Sequence, residues 1–220
     1  MKTCGLLGGS FDPVHLGHLR SALEMHEALG FERIHFVPCA QPAHRAAPRV
    51  SGEQRLVLLE LAVAGQPAFV CDDRELRRAS GPSYMYDTLL SFRGQYRDRP
   101  LCLLLGLDAF VGFSRWHRWA EICDLAHLVI ARRPGADLPE RGDEYALYKT
   151  RGAETVSALH QHAAGSVLIT TVTQLEISAT DIRARLAAGR SIRYLVPDAV
   201  ADYIETQRFY VPRWAPDLSD

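Results

Sequence analysis

The chain has 220 residues, of which 47% are hydrophobic, and its formal net charge at pH 7 is −1. This length and apolar content are sufficient to bury a full core, so we expect a single domain over residues 1–220. A near-neutral charge gives no general attraction for nucleic acid or acidic membranes. The composition therefore favours small-molecule partners, with neither nucleic acid nor a membrane among them.

Cysteine usage predicts the compartment. Five cysteines are scattered along the chain, mostly within apolar runs, and no two form a C-x-x-C pair. This pattern indicates buried thiols in a reducing environment rather than a disulfide framework. The apolar run at the N-terminus is interrupted by Gly8 and Gly9, and no apolar stretch approaches the length of a membrane span. We therefore expect a soluble, cytoplasmic protein.

Apolar runs alternate with helical patterns along the whole chain. The predicted strands are 4–7, 34–38, 68–71, 101–105, 128–131 and 167–169. The predicted helices are 19–29, 55–64, 84–96, 119–123, 145–162, 180–188 and 198–207. This alternation predicts a Rossmann-like α/β fold, a doubly wound parallel sheet with helices on both faces, and a small C-terminal helical part at about 180–210.

The sheet organisation also predicts where a ligand binds. The run 101–105 is entirely apolar, which is typical of a central strand that is buried on both faces. In such sheets ligands bind beyond the carboxyl ends of the strands, where the strand order reverses. Polar clusters follow several of the predicted strands, so we expect them to converge on one crevice.

The stretch 8–18, GGSFDPVHLGH, is a predicted strand-to-helix turn. Gly8 and Gly9 allow backbone amides to approach a ligand closely, and the N-terminus of the following helix attracts anions. His15 and His18 are three residues apart, so both rings can donate hydrogen bonds to one phosphate group. A metal pair is disfavoured, because no cysteine or carboxylate lies nearby at a recognised ligand spacing. Two surface histidines without a ligand are the plainest alternative.

A second anion site is predicted at 177–183. Thr180 is a natural N-cap, which would place Arg183 at the third helical position, where a cation opposes the helix dipole. An anion bound between the helix and the guanidinium would resolve that conflict, with Ser178 as a further hydroxyl donor. The alternative is an ordinary capped helix in which Asp181 complements the dipole.

Three further groups follow predicted strand ends. His44 and Arg45 lie in a proline-rich loop and can bind phosphate, although a solvated loop would also carry them. Asp108 follows the central strand, where a carboxylate that binds ribose is expected. Trp116 and Trp119 offer aromatic faces, although tryptophan is more often a core residue.

Together these segments resemble a known family. The stretch 8–18 is similar to the nucleotide-binding motif of the H-x-G-H nucleotidylyltransferases, and the chain from Met1 to about Tyr210 resembles their bacterial nicotinate-nucleotide adenylyltransferases. Further segments support this resemblance: 42–45, 82–84, 87–89, 106–110, 116–119, 133–135, 177–183 and 195–204. Two positions depart from the family pattern. Met85 stands where a threonine is usual, and Ala43 where a proline is usual.

The resemblance implies transfer of AMP from ATP to the 5′-phosphate of nicotinate mononucleotide, with Mg²⁺ bound to the phosphates. It implies that His18, His15 and Arg183 are catalytic. The ATP contacts it implies come from Gly8, Gly9, Ser10, Phe11, His15, His18, Gly106, Asp108, Ile177, Ser178, Thr180 and Arg183. The contacts to the mononucleotide it implies come from Asp12, His44, Arg45, Tyr84, Met85, Thr88, Trp116, His117 and Arg133.

Within that resemblance the phosphate motifs leave the acceptor open. Nicotinamide mononucleotide or phosphopantetheine as the acceptor, or CTP as the donor, would use the same motifs. A nucleotide-sensing or RNA-binding module is an alternative of a different class. The near-neutral charge and the absence of an appended RNA-binding segment speak against it.

Overall fold

Six parallel strands form one sheet in the structure, a computed structural model that describes residues 2–42, 46–78, 81–138, 140–173 and 175–211. The strands are β1 (Cys4–Gly9), β2 (Arg33–Pro38), β3 (Phe69–Cys71), β4 (Leu101–Gly106), β5 (His127–Arg132) and β6 (Val167–Thr171). Their order is β3-β2-β1-β4-β5-β6, and every pairing is parallel. The predicted α/β fold is therefore confirmed, and the strand order reverses between β1 and β4.

Within the described residues, seven helices connect these strands and two follow β6. They are α1 (Leu16–Leu29), α2 (Gly52–Val63), α3 (Met85–Gln95), α4 (Leu107–Phe110), α5 (Trp119–Leu125), α6 (Asp143–Arg151), α7 (Ala158–Gln161), α8 (Ala179–Ala187) and α9 (Asp198–Thr206). The single helix predicted over 145–162 is wrong. The backbone of Gly152 leaves α6 in an extended conformation and bridges to Val167, so the chain joins the sheet edge before α7 begins. Neither the short α4 nor a 3₁₀ turn at Phe113–Arg115 was predicted.

Local signals explain where the first two connecting helices begin and end. Ser51 and Gln54 form the predicted capping box, in which Gln54 N donates to Ser51 Oγ and Ser51 N donates to Gln54 Oε1. Gly30 ends α1 with φ at +65°, a left-handed conformation that glycine adopts without strain. The other predicted boundaries shift by no more than about one turn of helix.

Both faces of the sheet are buried, as the apolar run of β4 predicts. Cys102 and Leu104 pack into the core on the side of α1, α2 and α9. Leu103 and Leu105 pack into a second core together with α3 and α5. Burial of each such leucine contributes about 1.5–3 kcal/mol, so the crossover helices hold the two central strands firmly. The carboxyl ends of β1 and β4 are therefore a rigid base for a site.

Two further expectations concern cysteines and membranes. All five cysteines are free, and Cys4, Cys102 and Cys123 are buried, whereas Cys39 and Cys71 are half-buried. Burial raises the pKa of the Cys123 thiol to about 11, although the nearby Arg151 opposes this. Among the helices of the described residues, none combines the length and the apolar character needed to cross a membrane.

Candidate active site

A cavity of about 660 Å³ opens at the carboxyl edge of the sheet. Its lining comes from five parts of the chain: Ser10, Asp12, His15, Gly17, His18 and Ser21 near β1; Pro42 and 46–49 after β2; Asp108 after β4; Arg133 after β5; and Leu175, 177–180 and Arg183 after β6. Most of the predicted ATP-binding residues are therefore brought together. Gly8, Gly9, Phe11 and Gly106 are not among the lining residues, although each lies within two positions of a lining residue in sequence.

The two histidines of the motif form a stacked pair at the start of α1. His15 is the N-cap residue, and its ring lies 3.6 Å from the ring of His18, centroid to centroid. The backbone N–H of His15 donates to Nδ1 of His18 at 3.3 Å, so a neutral His18 carries its proton on Nε2. A Cβ on Gly17 would lie 3.0 Å from Nδ1 of His15, so a side chain at this position would crowd the imidazole ring. The pair is pre-arranged as a set of neutral N–H donors.

The electrostatics of this pair agree with that role. Burial lowers the pKa of His15 to about 4. Burial, together with the adjacent His15, lowers the pKa of His18 to about 3. Both rings are consequently neutral at pH 7 in the unliganded protein.

We expect these two histidines to make the unliganded protein less stable as the pH falls from 6.5 toward 4. An unfolded histidine binds a proton near pH 6.5, whereas the folded pair does not, so protonation favours the unfolded state in this window. The loss should be on the order of 1–2 kcal/mol per histidine at pH 5. Urea unfolding at pH 5 and pH 7.5 measures it.

The control for this pH effect is a variant in which His15 and His18 are both glutamine. Other ionisable groups titrate equally in both proteins, so only the difference between the two pH slopes reports on the pair. Its free energy of unfolding should fall less between pH 7.5 and pH 5 than that of the original protein. Equal slopes would show that the two rings are not held neutral.

The residues of the second predicted anion site line the cavity, but the predicted N-cap of their helix was wrong. Ser178, not Thr180, caps α8, because its extended backbone lets its Oγ accept from the N–H of Asp181 at 3.1 Å. Arg183 therefore lies beyond the third helical position, and its charge does not oppose the helix N-terminus as predicted. Instead its Nη1 reaches across the cavity and donates to the backbone carbonyl of Asp12 at 2.7 Å, while Nη2 donates to Thr180 Oγ1 at 3.3 Å.

Asp12 is buried and connects several parts of the site. Its Oδ2 accepts from the backbone N–H of Arg49 at 2.8 Å, and its Oδ1 accepts from the hydroxyl of Tyr210 at 2.9 Å. Both carboxylate oxygens are thus engaged by protein groups. The family resemblance implies that Asp12 contacts the mononucleotide. No sequence pattern predicted Tyr210, because nothing local to the chain links two residues so far apart.

Arg55 is a second residue near the cavity that was not predicted from the sequence. It is fully buried, and it donates at 2.7 Å to the backbone carbonyls of Ser10 and Cys39, which follow β1 and β2. Arg55 is three and four residues before Leu58 and Leu59, which places it on the buried face of α2. An arginine on an apolar helix face is the sequence pattern that could have indicated a structural role for this residue. These two hydrogen bonds from Arg55 hold the ends of β1 and β2 beside the cavity.

The residues assigned to the mononucleotide lie partly elsewhere. Tyr84 and His117 have ring centroids 4.3 Å apart, and Trp116 packs on Phe113. A Cβ on Gly8 would lie 2.5 Å from Cε of Met85, so this methionine lies directly against the glycine turn. None of these residues is among those that line the cavity.

Four residues assigned to the mononucleotide remain. Thr88 is buried away from the cavity, where its Oγ1 donates to Glu75 Oε1 at 2.5 Å. Arg133 lines the cavity, and its Nη1 lies 3.4 Å from Oε1 of Glu176. His44 and Arg45 lie outside the described residues.

Known proteins resemble this chain in both sequence and fold. The family model described as cytidylyltransferase-like matches residues 6–185. Two relatives named "Probable nicotinate-nucleotide adenylyltransferase" come from Aeromonas hydrophila and Marinobacter nauticus. The first is 44% identical over 94% of this chain and 97% of its own, and the second is 46% identical over 94% and 96%.

A solved structure shares the fold. The nicotinic acid mononucleotide adenylyltransferase of Plasmodium falciparum, complexed with APC, aligns with a TM-score of 0.71 over 96% of this chain and 98% of that one. Its sequence identity is 16%, so the likeness concerns the fold alone.

Proposed function

The chain belongs to the cytidylyltransferase-like family, and we propose that it transfers AMP from ATP to nicotinate mononucleotide, with nicotinate adenine dinucleotide and pyrophosphate as products. One observation carries the proposal: the stacked pair of His15 and His18 faces the same cavity as Arg183. Neutral N–H donors on one side and a guanidinium on the other suit a triphosphate, whose charge moves toward pyrophosphate during the reaction.

The reaction needs positioning more than proton transfer. The 5′-phosphate of the mononucleotide has its second pKa near ~6, so at neutral pH it attacks the α-phosphorus of ATP largely as a dianion without a general base. The new P–O bond forms as the bond between the α-phosphorus and the bridging oxygen breaks, and that oxygen leaves with pyrophosphate. Nε2–H of His18 donates to the α-phosphate as charge builds there, and His15 assists. Arg183 binds the departing pyrophosphate, with Arg45 as a further cation.

The remaining residues bind the two nucleosides. Asp108 and Gly106 follow β4, which suits the sugar or base of ATP. Trp116 stacks on the pyridine ring, and Tyr84, together with backbone amides near His117, binds the nicotinate carboxylate. Thr88 acts on the mononucleotide indirectly, through Tyr84: its hydroxyl oxygen lies 3.3 Å from the backbone carbonyl oxygen of that residue.

Magnesium enters with ATP in this proposal. The described residues contain no group of three or more histidine, cysteine or carboxylate side chains that could hold a metal ion. Of the two carboxylates that line the cavity, Asp12 is already engaged, which leaves Asp108. This donor set suits a hydrated ion carried mainly by phosphate oxygens, whose charge it neutralises.

The unpaired thiols support a reducing compartment, the cytoplasm, for the reaction.

A paired assay tests the proposed acceptor. The purified protein, ATP and Mg²⁺ are mixed with either nicotinate or nicotinamide mononucleotide, and pyrophosphate release is followed. We expect turnover with nicotinate mononucleotide and a kcat/KM at least about tenfold lower with the amide, since backbone N–H donors favour a carboxylate. Phosphopantetheine with ATP, and nicotinate mononucleotide with CTP, are the matched controls. Indifference to nicotinate mononucleotide would refute the assignment.

A further inference from the structure

Tyr210 follows the last helix, yet its hydroxyl reaches the first loop of the sheet. Its Oη donates to Oδ1 of Asp12 at 2.9 Å across a separation of 198 residues. The residue has φ at +67°, which L-residues rarely adopt, so the surrounding packing imposes its direction. Burial, followed by the neighbouring Asp12, raises the pKa of Tyr210, so the hydroxyl keeps its proton and remains a donor.

The bond matters because of what else Asp12 holds. Its Oδ2 binds the backbone of Arg49, which lines the cavity, and its carbonyl receives Nη1 of Arg183. Nη1 of Arg183 also lies 3.7 Å from Oδ2, too far for a hydrogen bond but close enough for an ion pair. The orientation of the Asp12 carboxylate therefore decides how strongly it attracts the guanidinium.

We propose that Tyr210 is a positioning residue, which holds the Asp12 carboxylate so that the Arg183 guanidinium remains available to the triphosphate. This inference rests on the proposed function. Without the hydroxyl, Oδ1 loses the partner that it has among the described residues, and the carboxylate gains most by turning toward Arg183. A closed ion pair between Asp12 and Arg183 would then compete with ATP for the guanidinium.

The variant Tyr210→Phe tests this proposal, because it removes only the hydroxyl. We expect an increase of about tenfold in KM for ATP, the equivalent of one hydrogen bond to a charged group, with little change in KM for the mononucleotide. Tyr203→Phe is the matched control: Tyr203 lies on the preceding helix with its ring 5.9 Å from that of Phe209, and it should leave both constants unchanged. Thermal unfolding of both variants reports on stability.

A double-mutant cycle separates positioning from simple destabilisation. In an Arg183→Met background, Tyr210→Phe should cause almost no further increase in KM for ATP, because the guanidinium that Tyr210 keeps available is already absent. Losses that simply add, or that follow the melting temperature alone, would overturn the proposal. The proposal would also be overturned if the KM for ATP of Tyr210→Phe equalled that of Tyr203→Phe.

Calorimetric titration with a non-hydrolysable ATP analogue keeps this test independent of the acceptor. A weaker analogue affinity in Tyr210→Phe supports the positioning role even if the original protein fails to use nicotinate mononucleotide. Unchanged affinity together with normal turnover by the original protein would refute the positioning role and leave the proposed function intact.

Discussion

Replacing His18 with alanine is expected to lower kcat by about 10²- to 10³-fold, which is the typical effect of removing one donor to developing negative charge. The pKa of His18 is about 3 in the unliganded protein, so the ring is a neutral donor whose hydrogen bond strengthens as charge grows on the phosphate. KM for ATP should change far less than kcat, since the contact matters most in the transition state. Steady-state rates of pyrophosphate release provide the measurement.

The control for this prediction is His162→Ala. His162 is exposed and is not among the residues that line the cavity, so its removal should leave kcat unchanged. His18→Asn is the conservative companion, because its amide keeps an N–H donor of similar reach, and we expect it to retain part of the activity. A fall in kcat of less than about tenfold in His18→Ala, equivalent to roughly 1.4 kcal/mol of barrier, would exclude the assigned role.

Arg183→Met is expected to lower kcat/KM for ATP by about 10²-fold, since it removes the guanidinium that binds the leaving pyrophosphate. Arg183→Lys should recover only part of this loss, because an ammonium keeps the charge but cannot contact Asp12 and phosphate with a planar fork. Inhibition by added pyrophosphate should weaken in parallel, which makes it a second measurement that does not depend on the acceptor.

Arg190→Met is the matched control for Arg183. Arg190 follows the same helix, is exposed and does not line the cavity, so the net charge changes equally while the site remains intact. If both variants lost activity to the same extent, the effect would come from the overall field of the protein. Full activity in Arg183→Met would show that the triphosphate binds elsewhere.

Periodicity and turn residues predict the elements of this protein that depend on local sequence. The apolar run of β4 predicted a strand buried on both faces, and the two cores confirm it. The glycines and histidines of the stretch 8–18 predicted a turn that faces a ligand cavity, where His15 and His18 indeed lie. Each of these features is contained within about ten residues of chain.

Contacts between distant segments could not be predicted in this way. Ser178 and Thr180 are both good helix caps, and only the path of the chain from β6 decides between them. Thr88 belongs to a motif of the family, yet its hydroxyl binds buried Glu75, whose position depends on tertiary packing. The same applies to Asp12, whose partners Arg49, Arg183 and Tyr210 come from three separate segments.

The bond between Asp12 and Tyr210 has a consequence for biosynthesis. All six strands and every lining residue of the cavity precede α9, so all of them are translated before residue 210. Contacts between residues this far apart in sequence form late and slowly. The Asp12 carboxylate therefore gains its Tyr210 partner only after every strand and every lining residue of the cavity has been translated.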